Sequence, residues 1–211
     1  MRFLCRLLVR MLLVAATVEI VGWYIARYWR RGPIPYSQSG QLRSPLRPLI
    51  HPVRRTLARA HVEPGATVLE MGPGTGYFSV EASRMVGPGG RLLCLDIQPP
   101  MLADLARHLR DAGITNAGLI LGDATRLPLA EDSVDSAYLV AVLGEIPDRP
   151  QALWELRRVL RRRGVLSITE TLTDPDYLFE DSVRDVCRAV GFEPLEHVRG
   201  LLGYTMNFAV P

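Results

Sequence analysis

The sequence predicts an α/β protein whose mostly parallel sheet is covered by helices on both faces, and three observations predict it. From residue 66 to residue 190, short apolar runs alternate with amphipathic runs at helical spacing, joined by brief connections. The first apolar run, Ala66 to Met71, leads directly into a glycine-rich turn and the start of a helix, Gly72-Pro-Gly-Thr-Gly-Tyr-Phe78. The second run, Arg91-Leu-Leu-Cys-Leu-Asp96, and the third, Leu119-Ile-Leu-Gly-Asp123, each close on a carboxylate. In an open α/β sheet ligands bind beyond the carboxyl ends of the strands, so these polar signals fall together on one edge.

Taken in order, residues 1–31 stand apart from the globular domain. Met11 to Ala26 is apolar except for Thr17 and Glu19, and with Leu7 to Val9 it gives about twenty residues, or ~30 Å of helix. Trp23, Tyr24, Tyr28 and Trp29 among Arg27, Arg30 and Arg31 have the aromatic and basic pattern of a membrane boundary. A single membrane-spanning anchor is the expectation, with the catalytic domain on the cytoplasmic side. Its rival is an in-plane amphipathic helix, because Arg2, Arg6 and Arg10 recur every four residues and Glu19 costs about 2.5–3.5 kcal/mol in mid-span. No small-x-small site ends the apolar run as a cleaved leader would require.

Residues 32–60 form a connector. Pro33, Pro35, Pro45 and Pro48 block regular helix, so Gly32 to His51 is expected to be semi-extended, with Tyr36, Ser39 and His51 as polar candidates for a lid. Pro52 to Ala60 then reads as a short helix with Val53 and Leu57 on one face. The main domain, 61–211, continues as strand, glycine turn, and a helix expected over Thr75 to Val86 that stops at Gly87-Pro-Gly-Gly90. The Asp96 strand is followed by a helix carrying Leu102, Leu105, Ala106 and Leu109 inward and ending at Gly113. Val134 to Leu143 is the fourth strand, Pro150 to Arg163 a helix whose five C-terminal arginines suit its dipole, and Val165 to Thr169 the fifth strand. Asp181 to Val190 is the last helix, and Glu193 to Leu202 with Tyr204 to Val210 reads as a hairpin.

Glu70-Met-Gly-Pro-Gly-Thr-Gly76 resembles the acidic-x-G-x-G-x-G motif of class I S-adenosylmethionine (SAM) dependent methyltransferases, over a stretch from about Glu63 to the C-terminus. A dinucleotide fingerprint needs glycine at the first, third and sixth turn positions, and here the sixth is Tyr77 or Ser79, which removes a nucleotide-dependent oxidoreductase. The resemblance implies a Rossmann-like, mostly parallel seven-stranded sheet and SAM as cofactor. It assigns Gly72, Pro73, Gly74 and Gly76 to the methionine half and Glu70 to the turn or the ligand ammonium. It assigns Asp96 to the ribose hydroxyls, Ile97 to the adenine face, and Asp123 with the Ala124 amide to the adenine edge.

The fourth strand runs into Leu143-Gly-Glu-Ile-Pro-Asp148, which resembles the His-Glu-x-Pro-Asp stretch of small-molecule methyltransferases of the quinone-biosynthesis type, with Gly144 where the histidine stands. Glu145 and Glu170 are therefore the candidates for acceptor chemistry. The expected acceptor is small and hydrophobic or membrane-associated. A SAM-binding module without turnover is the alternative. The Asn-Pro-Pro-Tyr motif of DNA and glutamine amino-methylating enzymes is absent.

Composition narrows the partners. Net charge is +3, and all 25 basic residues are arginine. They form no single run with interleaved aromatics, so no nucleic-acid partner is expected. Cys5, Cys94 and Cys187 have no Cys-x-x-Cys spacing, which leaves neither a disulfide framework nor a zinc site, and Cys94 and Cys187 read as core residues.

Overall fold

The computed structural model describes residues 32–43, 48 and 52–211, with Arg10, Val14, Thr17, Val18, Val21 and Gly22 of the N-terminal stretch. The chain divides into two compact units, Met1–Arg31 and Gly32–Pro211. In the first, the six described residues are helical, and Val14, Val18 and Val21 are exposed. The expected anchor as a continuous helix, its aromatic and arginine flank at 23–31, and His51 lie outside the described residues. Among the described residues no helix is long and apolar enough to cross a membrane.

The second unit opens with a 3-10 helix, Tyr36–Arg43, where a semi-extended connector was expected. Pro35 is its cause as much as its boundary: the Pro35 carbonyl accepts from the Gln38 amide at 2.8 Å, closing the first tight turn, and no proline interrupts the chain again until Pro45. Helix α1, Val53–Arg59, follows. Strands and helices then alternate: β1 Thr67–Met71, α2 Ser79–Val86, β2 Arg91–Asp96, α3 Pro99–Asp111, β3 Ala117–Leu121, β4 Val134–Val140, α4 Arg149–Val159, β5 Leu160–Thr171, α5 Glu180–Ala189, β6 Glu193–Arg199 and β7 Gly203–Ala209. The seven strands form one sheet in the order β3-β2-β1-β4-β5-β7-β6, with β7 antiparallel to both of its neighbours. The first five strands pair in parallel.

Strand alternation sorts the core into two layers. Leu69 and Met71 of β1 face a cluster filled by Leu153, Leu156 and Val159 of α4 and Val183 and Cys187 of α5. Val68, on the opposite face, packs with Leu57 of α1, Ala82 and Val86 of α2, and Leu102, Leu105 and Leu109 of α3. Cys94 and Cys187 are buried, as their apolar surroundings in the sequence implied.

Three boundaries differ from expectation. Helix α2 starts at Ser79 rather than Thr75, because Gly72, Gly74 and Gly76 take φ of +69°, +55° and +92°, which prolong the turn. Helix α4 stops at Val159, and Arg161, Arg162 and Arg163 lie on β5, which is twelve residues long. Arg161 pairs with Asp135 on the neighbouring strand, so only Arg157 and Arg158 remain in the last helical turn to complement the dipole. At its start α4 is capped by Asp148, whose carboxylate accepts from the Gln151 amide at 3.1 Å, an arrangement worth about 1 kcal/mol. Strand β4 stops at Val140, since Ala141 adopts φ +55° and turns the chain away.

Candidate functional site

The carboxyl ends of β1, β2 and β3 bring Gly72 to Gly76, Asp96 and Asp123 onto one edge. At Gly72 the backbone passes so close to Val142 that an added Cβ would lie 2.6 Å from a Val142 methyl. The turn is tied to its neighbours by two bonds. The Gly72 amide donates to the Leu95 carbonyl at 2.9 Å, and the Gly74 amide donates to Asp96 Oδ2 at 3.3 Å. Pro73 is buried, and its carbonyl accepts from the Gly76 amide at 3.0 Å.

Asp96 is 7% exposed. Burial pushes its carboxyl above the usual range, opposed by backbone amides of Gln98, Gly74 and Ile97. Its Oδ1 accepts from the Gln98 amide at 2.9 Å. Each oxygen therefore holds one amide and keeps a lone pair for a hydroxyl donor. Ile97, next in the chain, is 50% exposed and offers an apolar face beside that acid. Asp123 is exposed, and its Oδ1 closes a local turn by accepting from the Thr125 amide at 2.8 Å and the Thr125 hydroxyl at 2.9 Å, which leaves Oδ2 available. Ala124 is half-buried and packs against the core beneath.

Glu70 turns away from this edge. Its side chain lies on the α2 face, 2% exposed, where Oε2 accepts from the Ser79 hydroxyl at 2.6 Å and lies 3.6 Å from Cys94 Sγ. Of the two roles the sequence offered, this geometry supplies the first: Glu70 fixes the first residue of α2 beneath the turn. The Cys94 thiol is pushed well up, by burial first and by Glu70 second, which keeps it a neutral core group.

Two contacts fasten the connector over the same edge. The Gln98 side-chain amide donates to the Ile34 carbonyl at 2.9 Å, and the Tyr36 hydroxyl donates to the Asp104 carboxylate at 3.1 Å. Asp104 also pairs with Arg107. Tyr36, one of the lid candidates, is thereby tied to α3. Gln98 was missed in the sequence, where nothing marks a glutamine two residues beyond a strand end.

Beyond β4 and β5 the surroundings are acidic. Leu143–Glu145 is a single 3-10 turn, held by Arg149, which donates to the Leu143 and Gly144 carbonyls at 3.2 and 3.0 Å. Gly144 is buried under the loop 172–179, and a Cβ there would lie 1.9 Å from the Asp176 carbonyl oxygen. A histidine there would require the loop backbone at Asp176 to shift. The loop is pinned in turn by Tyr204, whose hydroxyl donates to the Leu178 carbonyl at 2.6 Å. Tyr204 pairs across the sheet with Glu170.

Glu170 is 1% exposed, and its Oε1 has no hydrogen-bond partner among the described residues. Burial, chiefly, and the nearby Asp174 raise its pKa well above the ordinary value; Glu145 adds to the rise, and the Leu178 amide and Arg149 oppose it. The structure therefore brings Glu145 and Glu170 into mutual influence and favours the protonated form of Glu170. This has a measurable consequence. The folded chain retains a proton that the unfolded chain releases above about pH 4.3, so stability falls as pH rises from there through the raised pKa. Glu170→Gln is expected to flatten that limb of the melting-temperature profile. An unchanged slope would remove Glu170 as its source.

Among the described residues no group of three or more His, Cys, Asp or Glu side chains is placed to hold a metal ion.

Comparison with known proteins agrees with this geometry. A family model described as a methyltransferase domain matches residues 69–168. The ubiquinone/menaquinone biosynthesis C-methyltransferase UbiE of Blochmanniella pennsylvanica is 37% identical over 118 residues, covering 56% of this chain and 46% of that protein. An arsenite methyltransferase of Halobacterium salinarum is 27% identical over 157 residues, 66% of this chain and 40% of that protein. The chain spans less than half the length of these two relatives. A crystal structure of a SAM dependent methyltransferase from Aquifex aeolicus superposes with a TM-score of 0.80 at 21% identity, covering 85% of this chain and all of that one. The fold is that of class I SAM-dependent methyltransferases, and the stretch that matches the methyltransferase-domain model carries the glycine turn, Asp96 and Asp123.

Proposed function

We propose that this chain is a SAM-dependent methyltransferase acting on a small acceptor that is hydrophobic or membrane-associated. The observation that carries the reading is the junction of the glycine turn with Asp96 through the Gly74 amide, with Ile97 and Asp123 beside it on adjacent strand ends. An adenosyl group fits these residues: Asp96 has two lone pairs for the ribose hydroxyls, Ile97 an exposed apolar face for the adenine, and Asp123 Oδ2 with the Ala124 amide a polar edge for its ring. The open turn from Gly72 to Gly76 lets the methionine half approach backbone.

When bound, SAM supplies an already activated methyl group, so the chain's own task is to align the acceptor and exclude water. Glu170, buried beneath the loop 172–179 with its pKa raised and its Oε1 without a partner among the described residues, is placed to hydrogen-bond an acceptor oxygen or nitrogen, and Glu145 is the partly exposed acid beside it. The names of the two relatives, one for quinone biosynthesis and one for arsenite, support a small-molecule acceptor.

Isothermal titration of the folded, ligand-free protein is expected to show binding of SAM and of its demethylated product, each raising the melting temperature, and no response to NADH. Absence of SAM binding would overturn the assignment. The apolar and aromatic composition of residues 1–31 supports membrane attachment, with the domain facing the cytoplasm where SAM is supplied. Deleting Met1–Arg31 is then expected to weaken membrane binding sharply while leaving SAM affinity unchanged. A truncated chain that sediments with membranes as completely as the full chain would refute the anchor.

A further inference from the structure

The tip of the β6–β7 hairpin is built against the rules of soluble hairpins. Such tips favour asparagine, aspartate and glycine, whereas here Gly200-Leu-Leu-Gly203 presents Leu201 at 94% exposure and Leu202 at 41%. The two leucines are not alone. Leu172, 55% exposed, is bonded to the tip through its amide to the Leu202 carbonyl at 2.8 Å. Phe179, 72% exposed, stands edge-on to Tyr177, which stands edge-on to Tyr204 of β7. Because Gly203 pairs with Thr171 at the carboxyl end of β5, the whole patch lies on the same sheet edge as the glycine turn and Asp96. Of the acids around it, Glu180 pairs with Arg199 and His197 and Asp181 with Arg184, while Asp174, inside the loop, turns its Oδ1 to the Asp176 amide at 2.7 Å.

We propose that Leu172, Phe179, Leu201 and Leu202 form a membrane-docking wedge that seats the carboxyl edge of the sheet in the interfacial layer of a lipid bilayer. The chain that precedes the domain identifies the occupant. About twenty apolar residues followed by tryptophans, tyrosines and arginines lead in sequence to Gly32, and the next residues are fastened to the same edge at Gln98. From β2 to β7 the strand order counts four steps, so the tether point and the wedge lie roughly 19 Å apart along one edge. Two points of attachment on one edge orient the site toward the lipid, and an apolar acceptor then reaches it without crossing water. This deepens the proposed function and rests on it for the acceptor class, although lipid contact by the wedge is measured independently of SAM.

The test uses the full chain with Cys5→Ser, since Cys94 and Cys187 are buried, and a single added thiol labelled with an environment-sensitive fluorophore. Leu201→Cys places the label on the wedge. Glu131→Cys places it on an exposed residue of the loop before β4, at the amino edge. With vesicles of phosphatidylcholine and phosphatidylglycerol, the label at 201 is expected to shift to the blue and to lose emission when the lipids carry nitroxide quenchers, while the label at 131 does neither. Equal responses at both positions, or none at 201, would overturn the wedge. So would a blue shift that grows with protein concentration without lipid, which would mean that a second copy covers the patch. SAM titration of the same labelled proteins separates these outcomes from failure of the methyltransferase assignment.

Discussion

Replacing Asp96 with alanine is expected to weaken SAM binding by about 2–4 kcal/mol, roughly thirtyfold to several hundredfold, because a carboxylate that accepts two hydroxyl protons makes two charge-assisted bonds. The same carboxylate also holds the Gly74 and Gln98 amides, so alanine loosens the turn as well as removing the ribose partner. Asp96→Asn separates the two effects. Its remaining carbonyl oxygen can keep an amide, so the melting temperature should stay close to that of the parent while affinity still falls. Asp111→Ala, an exposed acid at the end of α3, is the control and should change neither. Equal losses for Asp111 and Asp96 would mean general instability rather than a ribose contact. Acidification should mimic the substitution: as pH falls through the Asp96 pKa, which burial raises above the ordinary carboxylate value, affinity is lost.

The second large effect is on stability. Gly144→His would restore the residue found in the similar quinone-biosynthesis stretch, yet its Cβ would lie 1.9 Å from the Asp176 carbonyl oxygen. That obstacle is backbone and cannot rotate aside. Overpacking of this kind costs about 1–3 kcal/mol and here belongs at the upper end, so the melting temperature should drop by about 6–12 °C for a chain of this size. Gly144→Ala should already show much of the loss, whereas Gly89→Ala, which meets nothing within 4 Å, should show almost none. If Gly144→Ala melts with the parent protein, the loop 172–179 does not rest on Gly144. The missing histidine would then need another explanation.

The contrast between these two positions shows what was legible in the sequence. Asp96 could be read because it ends a run of strand formers, Leu92 to Leu95, and because glycines at alternate positions from Gly72 announce a turn that approaches a ligand. Both signals are local. The role of Gly144 could not be read, because it depends on Asp176, thirty-two residues away, whose approach is set by Tyr204 on a strand further along still. The same holds for Gln98, whose side-chain amide meets the connector at Ile34 across a distant part of the chain. Arg161 to Arg163 misled for a different reason. A cluster of arginines after a helical run is what a helix terminus favours, but the pairing of Leu160 with Val134 and of Arg161 with Asp135 draws that segment into β5. Glu70 was read as acting on the turn or on the ligand, and the Ser79 hydroxyl commits it to the structural side.

The order of the last three strands governs how the chain can fold as it is made. β6 precedes β7 in sequence but has no partner until β7 arrives, since β7 lies between β5 and β6. A nascent chain that has reached Arg199 therefore presents the open edge of β5, with Leu166 and Ile168 along it, and has no Met206 or Phe208 to pack beside α5. An unpaired apolar edge is a template for pairing with other chains. The interval between synthesis of Thr171 and of Ala209 is thus the period in which this protein is most open to misassembly, and a ribosome pausing within it would expose the chain to aggregation that the finished sheet excludes.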